Sequence, residues 1–261
     1  MKLCSATILS SLLFSASTLA QVEPENIEPT DVTKPLKKPL QGEIELGLIN
    51  TSGNTESSSL KSKLSITHDL THWRNNYEVS TFYKDEEVEA NGVRETQVSE
   101  EKYFASVQGN YKLINNGSAL FLYASYEDDR FSGFDYQQSF AAGYSNKVID
   151  NDTTTFTYNA GPGYRFSKLD TGDTEEGGFI RLAIDFKYQI TETARFSQAL
   201  STEAAVESDD NTRTKSETAI SASILGSLSL KAAFIIDNNT EVPAGVEDTD
   251  TETTLSVLYI F

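Results

Sequence analysis

The stretch YEDDRFSGFDYQQ, residues 126–138, sets Glu127, Asp128 and Asp129 beside Arg130. Carboxylates next to an arginine suit general acid–base chemistry or the holding of a divalent cation. Nucleophilic catalysis by a serine at this site would also need an adjacent activating base. The chain has two histidines, His68 and His72, and both flank one short turn far from this stretch. The other acids, among them Glu86, Glu87, Asp209, Asp210, Glu247, Asp248 and Asp250, follow no calcium-loop spacing. Cys4, the one cysteine, falls in the N-terminal leader, which excludes disulfides and thiolate chemistry from the rest. The expectation is no catalytic residue, no metal and no cofactor. Asp129 and Arg130 are read as a loop-fixing pair, with Gly133 permitting the bend.

The elements that would carry these residues are strands. From Gly42 onward the chain alternates with period 2, and helical spacing is absent. Twelve runs are predicted, near 42–50, 57–69, 73–84, 98–112, 118–127, 134–148, 153–166, 178–190, 194–206, 213–225, 227–237 and 250–261. Connections after the even runs are short, as in DLTH and LGS; those after the odd runs are longer and acidic, as in DEEVEANGVRETQVSE. An even number of antiparallel strands with loop lengths segregated to one end is the pattern of a closed transmembrane β-barrel, with short periplasmic turns and longer extracellular loops.

The faces of the runs agree. Phe156, Tyr158, Tyr164 and Phe166 oppose Thr157, Asn159 and Arg165, and Ile180, Leu182, Ile184, Phe186 and Tyr188 oppose Arg181, Asp185 and Lys187. A charge at the bilayer midplane of a barrel costs about 2–4 kcal/mol, so the apolar face belongs to lipid. The other face then lines the lumen with Lys61, Lys63, Arg74, Glu78, Glu100, Lys102, Arg165, Arg181, Asp185, Lys187, Arg213, Lys215 and Glu217. The run at 118–127 has apolar residues on both faces, and its orientation stays open. Trp73, Tyr111, Tyr144 and Tyr259 toward one rim and Tyr83, Tyr103 and Tyr164 toward the other fit interfacial aromatic girdles. Leu255, Val257, Tyr259 and Phe261 share one face of the last run, as a closing strand requires. Pro162 falls mid-strand and calls for a bulge or kink.

Before this domain stand two further segments. Residues 1–20 (Lys2, a Ser/Leu/Ala run, small residues to Ala20) read as a cleaved signal peptide. Residues 21–41 carry four of the six prolines and read as a disordered periplasmic lead-in. The formal charge is −18, which argues against a nucleic-acid partner.

SGNTESSSLKSKL at 52–64, HWRN at 72–75, DRFSGFDY at 129–136, AGPGYR at 160–165, KSETA at 215–219 and the C-terminal PAGVEDTDTETTLSVLYIF occur in order. In these motifs residues 42–261 resemble the YdiY-like family of salt-induced outer-membrane proteins, a domain of unknown function. The resemblance implies an exported outer-membrane barrel and carries no catalytic or ligand residues.

The reading is a non-enzymatic outer-membrane barrel serving salt or envelope adaptation, or a narrow solute pore. Membrane lipid, lipopolysaccharide and the barrel-assembly machinery are its expected partners. A soluble secreted β-sandwich binding module and an outer-membrane lipid-modifying enzyme are the alternatives. The mixed-sign lumen fits either a filled interior or a narrow charge-lined pore.

Overall fold

The computed structural model describes residues 39–51, 57–90, 93–113, 117–129, 132–207, 211–242 and 247–261. They form twelve strands: β1 (Leu40–Thr51), β2 (Ser57–Asp69), β3 (Trp73–Ala90), β4 (Val93–Lys112), β5 (Ser118–Asp129), β6 (Phe134–Asp150), β7 (Thr154–Leu169), β8 (Thr174–Gln189), β9 (Ala194–Ala205), β10 (Arg213–Leu225), β11 (Leu228–Asn239) and β12 (Thr249–Ile260). Each strand pairs antiparallel with its neighbours in sequence, and β1 pairs with β12, closing the barrel. The first strand starts at Leu40, two residues before the expected boundary at Gly42. Most of the predicted lead-in and all of the predicted signal segment lie outside the described residues.

Closure matters because an unpaired strand edge cannot sit in hydrocarbon. The closing ladder is short, running from Glu43↔Ile260 to Gly47↔Ser256, whereas β1 pairs with β2 over its whole length. Two backbone bonds finish it: Gly42 N–H donates to Phe261 O at 3.1 Å, and Phe261 N–H returns to Gly42 O at 2.9 Å. The Phe261 ring covers Gly42 so closely that a Cβ there would lie 2.1 Å from it. Phe261 also stacks on Tyr259, with centroids 6.2 Å apart.

Both ends of the barrel sequence, Leu40 and Phe261, fall at one rim, with the β2–β3, β4–β5, β6–β7, β8–β9 and β10–β11 turns. The opposite rim carries the other connections. Five of the six are shorter than the sequence suggests, because strands absorb them; the β9–β10 connection is one residue longer. The predicted long acidic loop DEEVEANGVRETQVSE is the continuation of the β3–β4 hairpin, paired out to Ala90↔Val93 past a register shift between Lys84 and Asp85. On β4–β5 and β5–β6, register puts Leu120 and Leu122 outside and Phe121 and Tyr123 inside, which decides the face left open in that run.

The outer wall is apolar, with Leu122, Leu182, Ile220, Phe234 and Leu255 all exposed. Rings gather toward the two rims: Trp73 with Tyr111 at 5.3 Å on one, Tyr126 with Tyr136 at 6.1 Å on the other. Pro162 stays in β7 without a bulge, contrary to expectation. Register is the same on either side of it, Ala141↔Gly163 and Tyr144↔Ala160, although the two residues between them on each strand leave the β6–β7 ladder, and the β7–β8 ladder runs through Pro162↔Ile180. Glycines permit this, since a Cβ on Gly143 or Gly161 would lie 2.6 Å from the Cα of the other. Strands β6 and β7 therefore come close enough to hold the ladder past the proline's missing donor.

Candidate functional site: the charged lumen

The inward faces of the strands converge on a layer of ions in the half of the barrel nearer the loop rim. Glu127, at the end of β5, binds the Arg213 guanidinium and lies 2.6 Å from Lys215 Nζ and 3.4 Å from Lys102 Nζ. Asp237 on β11 meets Lys102 at 3.1 Å, Lys215 at 3.1 Å and Arg213 at 3.5 Å. Strands β5 and β10 lie five places apart in a ring of twelve, as do β4 and β11. Glu127 to Arg213 and Lys215, and Lys102 to Asp237, therefore cross the lumen, while Asp237 to Lys215 and Arg213, and Glu127 to Lys102, join neighbouring strands along the wall. Glu127 and Arg213 keep only 5% and 10% of their side-chain surface exposed.

A second group backs this layer. Glu203 on β9 takes Arg165 at 2.7 Å through one oxygen and Arg181 at 2.9 Å through the other, and Ser139 Oγ donates to it at 3.0 Å. Arg181 lies over the Tyr123 ring at 3.8 Å and Arg165 over Phe179 at 5.3 Å. Phe121, Ala141 and Phe179 pack beneath as a small apolar core inside the barrel. The glycine at 163 leaves the Phe179 ring its place.

A third group joins the closing strands. Lys231 Nζ donates to Glu45 at 2.7 Å and to Glu217 at 2.6 Å, and Ser256 Oγ donates to Glu45 at 2.8 Å. Lys63 bridges Glu78 at 3.2 Å and Glu217, across the lumen on β10, at 3.4 Å. Lys61 reaches over β1 to Glu252 at 3.0 Å. At the rim with the barrel ends, Asp69 holds Arg74 at 3.1 Å and also pairs with Lys112.

Every residue read from sequence as lumen-lining falls on the inward face by strand register, but in different settings. Lys102, Arg165, Arg181, Arg213, Lys215, Lys61, Lys63, Glu78 and Glu217 enter the ion network, and Arg74 the rim cluster. Glu100 pairs across the ladder with Lys84. Asp185 and Lys187 stay exposed to the lumen, and neither makes an ion pair or a hydrogen bond among the described residues. Of the expected loop-fixing residues, Asp129 ends β5 and pairs with Lys102 at 3.0 Å, and Gly133 turns with φ +81°. Arg130 lies outside the described residues.

The sequence reading missed most of the acids. Glu45, Glu127, Glu203, Asp237 and Glu252 are the partners of its cations. The signal was available in the alternation: Glu203 shares a face with Ser197 and Ser201, and Asp237 alternates with Phe234 and Ile236. The arrangement is suited to excluding bulk flow through the loop half of the lumen. It presents no serine–histidine pair there, since His68 and His72 both sit at the opposite rim.

Known proteins share this architecture. A NanC porin structure matches with a TM-score of 0.51 at 10% identity, over 85% of this chain and 99% of that one. The COG4313 outer-membrane channel from Pseudomonas putida F1 aligns with a TM-score of 0.49 at 9% identity, over 90% and 100% of the two chains. At 10% identity the NanC likeness is one of fold, that of an outer-membrane β-barrel. The uncharacterized protein YdiY of Escherichia coli (strain K12) is 30% identical over 226 residues, covering 85% of this chain and 84% of its own. The family model described as "Protein of unknown function, DUF481" matches residues 44–261. The chain belongs to that family, as its motifs, its relative and its barrel together require.

Proposed function

We propose that this protein is a non-enzymatic outer-membrane barrel forming a narrow conduit for small polar solutes, held shut at rest by ion pairs across its lumen. The observation that carries this reading is the layer in which Glu127 on β5 meets Arg213 and Lys215 on β10, and Lys102 on β4 meets Asp237 on β11, from opposite walls. Buried pairs of this kind give little net stability, because desolvating the ions offsets their attraction. What they supply is a defined arrangement that can be disrupted by charge. Lys102 and Lys215 remain about a quarter to a third exposed, so the layer is open to screening by salt. This supports a role in adaptation to salt or envelope stress. In the same reading the N-terminal leader exports the chain, and the rim with the barrel ends faces the periplasm. The outer wall meets lipid and lipopolysaccharide, and the β12 face ending in Phe261 is offered to the assembly machinery.

Single-channel recording of refolded protein in planar bilayers tests the proposal. The expected result is few small openings for the wild type at low salt, more at about 1 M, where the Debye length falls to about 3 Å. The Glu127→Gln, Asp237→Asn double variant is expected to open at low salt. A double variant as silent as the wild type at every salt concentration overturns the conduit.

A further inference from the structure

The half of the lumen nearer the barrel ends differs from the sealed half above it. Asp185 and Lys187 on β8 and Ala199 on the facing stretch of β9 point inward and are exposed, so solvent reaches them. The charges that act on Asp185 are Lys187, Lys63, Glu78 and Arg181. Lys63 pairs with Glu78 and Glu217, and Arg181 with Glu203, while Asp185 and Lys187 make no ion pair among the described residues. An acid and a base thus line one wall of a wet chamber.

We propose that this chamber binds small zwitterions carrying an ammonium and a carboxylate. The ammonium donates to Asp185, and the carboxylate accepts from Lys187 Nζ. Residues two apart on one strand face stand about 7 Å apart. An amino acid as short as glycine, with a charge-assisted bond of about 2.8 Å at each end, spans that interval. A simple anion or cation satisfies only one end and leaves the other charge unpaired, which gives the site its selectivity. The proposal names the solute class of the lumen and rests on reading that lumen as a solute path.

The test is equilibrium dialysis of radiolabelled glycine against the refolded full chain in detergent, with acetate and methylammonium as competitors. Saturable binding is expected that neither competitor displaces at matched concentration. Asp185→Asn and Lys187→Gln are each expected to weaken it about ten-fold or more, the loss of one charge-assisted bond. Heat-modifiable gel mobility confirms that each variant has folded. No saturable binding by the wild type, or unchanged binding by both folded variants, overturns the site. Because dialysis needs no current, saturable binding with silent bilayers upholds the site and removes the conduit. Conductance without glycine binding removes the site alone.

Discussion

Among the described residues, Glu203 is the carboxylate that pairs with both Arg165 and Arg181. Removing it leaves two buried guanidinium groups without a counter-charge, a change that costs about 3–5 kcal/mol where a buried pair is broken. Glu203→Ala should therefore lower the urea midpoint of detergent-refolded protein, with an unchanged midpoint counting against the network. Replacing the exposed Asp185 by Asn should move that midpoint by no more than about 0.5 kcal/mol in stability, as for a substitution away from packed contacts. The contrast between these two residues was not legible in the chain. Both are acids on an inward strand face, and period 2 gives that much. Which of them meets an arginine depends on how β8 and β9 are staggered and on what stands opposite.

At the level of the strands, the weakest link is the seam. β1 and β12 pair only from Glu43 to Gly47, and Phe261 packs on Gly42 to finish the ladder. A side chain at 42 must displace that ring. Gly42→Val, and deletion of Phe261, should each reduce the fraction of chain that reaches the heat-modifiable form, whereas Gly178→Ala, where a Cβ meets nothing closer than 3.8 Å, should not. The wall itself makes a further prediction. Leu182 on β8 is 52% exposed on the outside. Leu182→Arg should cost about 2–4 kcal/mol in lipid vesicles, the price of a charge on a barrel's lipid face. A cost near zero in vesicles would contradict the assigned outer face. Strand faces were readable because lipid and lumen impose opposite demands on alternate residues. Strand ends were less so: the acidic β3–β4 hairpin looks like a loop by composition, yet continues as paired strand. Pro162 misled in the other direction, since Gly143 and Gly161 let β6 and β7 close around it without a bulge.

For the whole molecule, the barrel predicts membrane behaviour. The full chain should partition with outer membranes, require detergent for extraction and migrate faster unheated than boiled; full solubility without detergent would refute the fold's placement. The ionic layer further predicts that conductance rises with salt more steeply than the bulk electrolyte does, because screening acts on the pairs as well as on the carriers. The sequence by itself determined the fold class, about twelve strands and, outside the run at 118–127, the lipid-facing set, because hydrocarbon tolerates neither an open edge nor an outward charge. It also determined that Lys102, Arg213 and Lys215 turn inward. Only the tertiary structure decided that the lumen is crossed. Glu127 and Arg213 are 86 residues apart, and their contact depends on closure, tilt and register acting around the whole ring, which no local pattern records.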